Sequence, residues 1–400
     1  MNIKITNYIA RYTAQHKRER MDSNEGRPLV LDLFCGCGGF SLGAELAGFH
    51  SIAAVDIDST LQSAYKRNFP RTKAIEGNVS DIFVNDWRHI IGSTRPAGII
   101  GGPPCQGFSR IGRRQKDDPR NNLVHHYYRH VKELRPKFFV MENVQGLLDG
   151  DNIETLMTGI EQVSDNYTVI GPFVVNAADY GAATNRVRVI VIGFDSDEME
   201  PLGIEQFLIK RTPTSVRDAI FDLPSTVPDL KDPTAYGWAK YPRRRNISEY
   251  ARMMRELPHA GLGNDEAIAY LRKGYVSGLL ETKHTPHVAE RYKNAVVGKI
   301  DPISKSHKLR WDGLSPTLRA GTGSDRGSFQ AVRPLHPSEG RVITVREAAR
   351  IQGFPDWFTF HPTKWHSFRM IGNSVSPIVS TAIMTQIKKS LLDEVKLSVA

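Results

Sequence analysis

The chain has 400 residues, 40% hydrophobic and 24% charged, with a net charge of +10. That length exceeds what one core usually serves and predicts a large domain plus a smaller one, and no stretch approaches the ~18 consecutive apolar residues of a membrane span. The cationic surplus favours phosphate-bearing partners, while three cysteines, an odd number in two places, fit neither a disulfide framework nor a paired-ligand zinc site and point to a reducing, cytoplasmic compartment.

Residues 1–27 carry "HKRER" without an apolar segment before a small-residue cleavage site, so they read as an arm and not as a secretion signal. From Pro28 to Phe194 the apolar runs "PLVLDLF", "SIAAVDI", "AGIIGG", "KFFVMEN" and "VRVIVIGF" alternate with stretches of helical spacing. Short buried strands separated by helices predict a doubly wound α/β domain with a parallel sheet, which binds ligands at the carboxyl ends of its strands.

The first run leads into "CGCGGFSLG", with Gly36, Gly38 and Gly39 between strand and helix. Such a turn offers backbone N–H groups to an anionic or nucleotide-like ligand, although close strand–helix packing also demands glycine. The second run ends in "AVDID", where Asp56 lies about 20 residues beyond the turn, a place from which an acid can accept ribose hydroxyls. Asp58, before Ser59, reads as a helix cap. In "EGNVSDI", Asn78 and Asp81 are candidate acceptors for an adenine amino group.

Cys105 in "GGPPCQGFSR" could be a core thiol, a metal ligand or a nucleophile. Rigid flanking prolines suit a nucleophile held in position. The metal reading lacks partners, because His125 and His126 are about 20 residues away with no second cysteine nearby. Glu142 ends the apolar run "KFFVMENV"; burial there would make it a proton donor near neutral pH, and a helix cap is the alternative. "NRVRVIVIG" sets Arg186 and Arg188 on one face of a strand, where guanidinium forks can hold a carboxylate or a carbonyl oxygen.

After Asp195 turn residues recur at short intervals and a second domain is expected. Residues 201–310 hold 19 Lys plus Arg against 12 Asp plus Glu. The run Arg243, Arg244, Arg245 is a candidate nucleic-acid contact or a solvated loop. "TVREAARIQ" predicts a helix with a Thr344–Glu347 capping box, and a last helix is expected from about Ser376 to Leu392.

Read in order, "DLFCGCGGFSLG", "EGNV", "GGPPCQGFS", "NLVHHYYRHV", "MENV", "NRVRV", "TVREAARIQGFP" and "IGNSV" resemble the DNA (cytosine-5) methyltransferases over residues 28–196 and 310–378. The resemblance implies a Rossmann-like, S-adenosyl-L-methionine-dependent domain built from residues 28–199 and 365–395, with a smaller target-recognition domain at 200–364. It implies that Cys105 adds to carbon 6 of cytosine, that Glu142 holds or protonates ring nitrogen 3, and that Arg188 grips the carbonyl oxygen with Arg186 beside it. Around the cofactor it implies Phe34 stacked on adenine, Asp56 and Ile57 at the ribose, Asn78 and Val79 at the adenine, and Pro104, Leu123, Asn373 and Val375 completing the pocket with the turn glycines.

Two positions depart from the family pattern: Asn78–Val79 replaces the usual Asp–Ile, and Thr184 replaces a glutamine. The target base must be rotated out of the duplex, and "QGFSRIGRRQKDDPRNN", with Ser109, Arg113, Arg114 and Lys116, is expected to close over it and meet phosphates. The implied partner is double-stranded DNA; a restriction endonuclease would be a functional but not a physical partner of a monomer. Besides an exocyclic-nitrogen methyltransferase, whose Asp-Pro-Pro-aromatic turn stands here as Gly-Pro-Pro-Cys, two alternatives compete. One is a transfer RNA methyltransferase, although those members usually have threonine at the place of Ser109. The other is a silent DNA-binding regulator, which would be expected to have lost Cys105, Glu142 or an arginine.

Overall fold

The computed structural model describes residues 26–104, 122–232, 234–320 and 333–399. Its centre is a seven-stranded sheet in the order β3-β2-β1-β4-β5-β8-β6. The strands are β1 (Leu29–Leu33), β2 (His50–Asp56), β3 (Lys73–Glu76), β4 (Gly98–Gly101), β5 (Phe138–Val144), β6 (Tyr167–Asn176) and β8 (Val187–Asp195). The two-residue strand β7 (Thr184–Asn185) lies outside it. Helices α1 (Gly39–Leu46), α2 (Ser59–Asn68), α3 (Val84–Ile91), α4 (Asn122–Leu134) and α5 (Asn152–Glu161) connect the first six strands.

The period-two alternation of the strands decides the layers. Val30, Ile100, Phe138 and Val140 point to one face, where they pack with Phe40 and Ala44 of α1 and with Ile383, Met384 and Ile387 of the last helix, α12 (Pro377–Val399). Their neighbours Leu31, Leu33, Ile99, Phe139 and Met141 point to the other face, against Trp87, Val124, Tyr127, Tyr128 and Leu156. Both faces are therefore covered, as the continuous apolar runs require.

One expectation needs correction. The sheet is parallel from β3 to β5, but β8 runs antiparallel to both β5 and β6. The Ala177–Arg186 connection holds a short 3-10 turn and β7 in place of a helix, and a parallel crossover needs a connection of roughly a dozen residues or more, usually helical. Arg186 consequently precedes β8 instead of lying within it.

Beyond Asp195 the chain is held differently. Short helices α6 (Val216–Ile220), α7 (Glu249–Met254), α8 (Asp265–Arg272) and α9 (Pro286–Asn294) alternate with loops and with the two-residue strands β9 (Ala239–Lys240), β10 (Tyr275–Val276) and β11 (Ser315–Pro316). Then α10 (Val345–Gln352) starts on a reciprocal Thr344–Glu347 capping box and stops at Gly353, whose φ of 98° favours glycine. It is followed by α11 (Lys364–Asn373).

Two fully buried arginines of α10 organise this region. Arg350 grips Asp356 through two bonds of 2.7 Å and reaches Asp222, after α6, at 3.1 Å. Arg346 donates to the carbonyls of Ser277, Pro355 and Phe358. Their apolar surroundings join Val216, Tyr250 and Leu271 to Tyr65 of the sheet-covering helix α2 and to Phe69 just after it.

Candidate functional site

One cavity of about 780 Å³ opens at the carboxyl ends of β1, β2, β4 and β5. At one end it is lined by Phe34, Gly36, Asp56, Ile57, Asn78, Val79, Leu123, Asn373 and Val375, and at the other by Pro104, Glu142, Arg186 and Arg188. Gly38 and Gly39 are not part of its lining.

The turn after β1 explains the first end. Phe34 adopts φ 64° and Gly36 φ 55°. A bulky residue in the left-handed region is rare and is tolerated where surrounding structure enforces it. Gly36 donates its N–H to Asp56 Oδ2 at 2.8 Å, and the N–H of Asp58 reaches Asp56 Oδ1 at 2.9 Å. The acid at the end of β2 is thus fixed by two backbone donors, while burial pushes its carboxyl up to about 6. Asp58 caps α2 through the N–H groups of Thr60 and Leu61 and pairs with Arg369 of α11.

Gly38 and Gly39 serve packing instead. A Cβ on Gly38 would meet the Phe69 ring at 2.3 Å, and one on Gly39 would meet Ser374 Oγ at 1.9 Å and the Val375 carbonyl at 2.4 Å. Asn78 accepts the N–H of Ser80 at 3.2 Å to cap the following turn, and its side chain borders the cavity, whereas Asp81 stays outside it.

Strand register builds the second end. Val144 of β5 pairs with Arg188 of antiparallel β8, so Glu142, two residues back, is the diagonal same-face neighbour of Arg188. Arg188 Nε lies 3.0 Å from Glu142 Oε1, an ion pair formed by two largely buried side chains. Arg186 is spent differently: it donates to the carbonyls of Gly372 at 3.0 Å and Ser374 at 2.7 Å, tying the approach to β8 to the end of α11. Burial and the neighbouring Arg188 guanidinium hold Arg186 well below the usual arginine range.

Several groups that the sequence pattern did not single out belong to the site. Asn143 donates to the Pro103 carbonyl at 2.9 Å and so holds the segment that leads to Cys105. Asp32, on β1, accepts both the N–H and the hydroxyl of Ser41 on one oxygen, while its other oxygen is buried without a partner. Burial pushes its carboxyl up to about 7. The available signal was position: Asn143 follows Glu142 at a strand end, and Asp32 is a charge inside an apolar strand.

Thr184, the second departure, donates its hydroxyl to the Ser315 carbonyl at 3.1 Å where β7 pairs in parallel with β11. Arg243, Arg244 and Arg245 are exposed and lie away from the cavity. Cys105, Ser109, Arg113, Arg114 and Lys116 lie outside the described residues. The other two thiols are buried, and burial pushes Cys37 up to about 12 and Cys35 well above the ordinary range, which keeps both protonated and unreactive. Among the described residues no cluster of His, Cys, Asp and Glu is placed to hold a metal ion, and no helix is long and apolar enough to cross a membrane.

Residues 29–389 match the model of the C-5 cytosine-specific DNA methylase family. The chain is 43% identical to the type II methyltransferase M.XorII of Xanthomonas oryzae pv. oryzae, over 91% of this chain and 85% of the relative. It is 30% identical to the type II methyltransferase M.DdeI of Desulfomicrobium norvegicum, over 90% and 88% respectively. The crystal structure of a prophage-encoded E. coli protein superposes with a TM-score of 0.81 at 39% identity, covering 91% of this chain and 99% of that one. The S. pombe Dnmt2 methyltransferase, at 17% identity and a TM-score of 0.58 over 91% of this chain and 99% of its own, shares the fold. With its family model spanning nearly the whole sheet and the segments beyond it, the chain belongs to the C-5 cytosine-specific DNA methylase family and is a DNA (cytosine-5) methyltransferase of restriction–modification type.

Proposed function

We propose that the enzyme transfers a methyl group from S-adenosyl-L-methionine to carbon 5 of a cytosine rotated out of a specific duplex sequence, after Cys105 has added to carbon 6. The observation that carries this reading is the single cavity in which an aromatic ring and a strand-end acid meet the Glu142–Arg188 pair, with Pro104, the residue before Cys105, in its wall. The family implies the cofactor, and the residues present fit it. Phe34 offers a face for adenine, Asp56 a fixed carboxylate for ribose hydroxyls, and Asn78 an amide oxygen for the adenine amino group. Ile57, Val79, Leu123, Asn373 and Val375 enclose the remainder. A cavity of about 780 Å³ lies in the range of ligand pockets generally, about 300–1,000 Å³. When bound, S-adenosylmethionine supplies an electrophilic methyl group.

The chain's own groups prepare the base. Carbon 5 of an aromatic cytosine is a poor nucleophile; forming a bond from the Cys105 sulfur to carbon 6 breaks the aromaticity and places electron density on carbon 5. Glu142 holds the nitrogen-3 edge and accepts from the exocyclic amine, which selects cytosine over thymine, and Arg188 donates to the carbonyl oxygen. Arg186 fixes Asn373 in the wall by bonding the carbonyls on either side of it, those of Gly372 and Ser374, instead of touching the base. After methyl transfer, loss of the carbon-5 proton and of the thiolate restores the ring. The residues 200–364 serve target recognition, and the enzyme works in the cytoplasm as a monomer that protects sites of an endonuclease it does not contact.

Incubation with methyl-labelled cofactor and either duplex DNA or transfer RNA, followed by localisation of the label, tests the reading. Label is expected in 5-methylcytosine of DNA, absent with Cys105→Ser and reduced by about 10²–10⁴ with Glu142→Gln. Label in 5-methylcytosine that persists in Cys105→Ser overturns the covalent step.

A further inference from the structure

A cluster of cations and aromatic rings on the second region has no part in the chemistry above. Arg217 of α6 lies 5.0 Å from the ring of Phe221, one helical turn on, and 5.2 Å from that of Trp311. Arg244 covers the Phe221 ring at 4.4 Å, and the two rings meet edge to face at 5.5 Å. Phe221 is 43% exposed, and Arg217, Arg243, Arg244 and Arg245 are all exposed. Nearby acids are bonded elsewhere: Asp218 by the Ser215 hydroxyl at 2.5 Å, and Asp312 by Arg310 at 2.9 Å, with Arg217 adding only a longer-range attraction to Asp312. Among the described residues Arg217, Arg243, Arg244 and Arg245 form no ion pair.

The position of the cluster is set by the fold. The N–H groups of Val216 and Arg217 donate to the carbonyls of Gly313 and Trp311 at 2.9 and 2.8 Å, which fastens α6 to the segment entering β11. In β11, Ser315 pairs with Thr184, two residues before the cavity-lining Arg186. Chain reach from Trp311 through that pairing to Arg186 is at most about 27 Å. One turn of duplex DNA spans about 34 Å. A duplex that delivers a base to the cavity is therefore long enough to extend as far as the Trp311 backbone that carries the cluster.

We propose that Arg217 and Arg244, held by the Phe221–Trp311 pair, form a ledge that binds the sugar–phosphate backbone of the duplex within one turn of the target base. This rests on the DNA-methylating reading and extends it to a named surface. Charge complementarity selects the partner: four unpaired guanidiniums suit phosphate oxygens, which planar forks bind well. Stacking on the rings restricts each arginine before DNA arrives, so less side-chain freedom is lost on binding. Contacts of this type position the duplex without reading bases.

The test uses the full-length enzyme and a fluorescent duplex titrated over a salt series. For Arg217→Gln with Arg244→Gln, the slope of log affinity against log salt is expected to become shallower by about 1.8, close to 0.9 per lost contact. KM for DNA rises several-fold, while kcat at saturating DNA and the affinity for S-adenosylhomocysteine stay at wild-type values. Phe221→Ala weakens binding in the same direction with a smaller change of slope. An unaltered slope in the double variant, with wild-type DNA binding intact, overturns the ledge alone. Wild-type enzyme that prefers transfer RNA to the duplex overturns the DNA reading beneath it.

Discussion

The sheet half of the molecule and the region from Asp195 to Phe360 reach burial by opposite means. In the first, the core is mainly apolar, and Asp56 and Glu142 arrive at the cavity near the carboxyl ends of β2 and β5, while Arg188 arrives because antiparallel β8 begins beside them. In the second, charge is the core: Arg350, Arg346, Asp222 and Asp356 are all buried and bonded to one another or to carbonyls. Tyr241 adds its hydroxyl to Asp356 and Arg255 adds its guanidinium to Asp222. A sheet needs only apolar alternation to define its register. A region of short helices and loops lacks that periodic instruction, and directional guanidinium forks supply it.

The contrast can be broken most strongly at Arg350. Replacement by Met leaves two buried acids without their shared partner and is expected to cost about 3–5 kcal/mol, read as a lowered urea midpoint. A loss below 1 kcal/mol would mean that packing, not the ion network, holds the second region.

The sheet half gives a smaller effect with a definite pH signature. Burial raises Asp32 from 3.8 unfolded to about 7 folded. Its contribution is fully present below pH 3.8 and is lost as pH rises through about 7, because ionising it in place is unfavourable. The stability of the wild type relative to Asp32→Asn should therefore fall between pH 4 and pH 7, by an amount on the order of a few kcal/mol. Parallel stability curves for the two proteins would contradict this.

The junction between the halves gives the smallest change. Thr184→Val removes the hydroxyl that donates to the Ser315 carbonyl, and is expected to cost about 0.5–1.5 kcal/mol. Hydrogen exchange at the Ser315 amide, which donates to the Ala183 carbonyl at 2.9 Å, should quicken while the β1 amides keep their protection.

The same contrast explains what could be read from the sequence. The edge strand β6, half-exposed and interrupted by Gly171 and Pro172, escaped the sequence reading, whereas β1, β2, β4, β5 and β8 were visible because an apolar run is a local signal. The direction of β8 was not, since it depends on how short the Ala177–Arg186 connection is. Arg188 was visible as a cation near a strand start, and its diagonal placement beside Glu142 followed only from the antiparallel register. Arg186 looked like its twin, yet its acceptors are the carbonyls of Gly372 and Ser374, close in space and 186 and 188 residues away in sequence. Gly38 and Gly39 read as ligand-binding glycines because packing and phosphate binding ask for the same residue. Arg346 and Arg350 carry no local signal for burial, because an amphipathic helix with two arginines ordinarily turns them to water.

The wall behind the glycine turn is assembled from both ends of the chain. Gly39 fits only against Ser374 and Val375, the Ser380 hydroxyl donates to the Gly39 carbonyl at 3.1 Å, and the Cys37 thiol meets the Met370 carbonyl across 333 residues of sequence. During synthesis the turn leaves the ribosome early and waits for nearly the entire remaining chain before its packing partners exist. A chain truncated before Lys364 lacks Met370, Ser374, Val375 and Ser380, and with them every one of these contacts to the glycine turn.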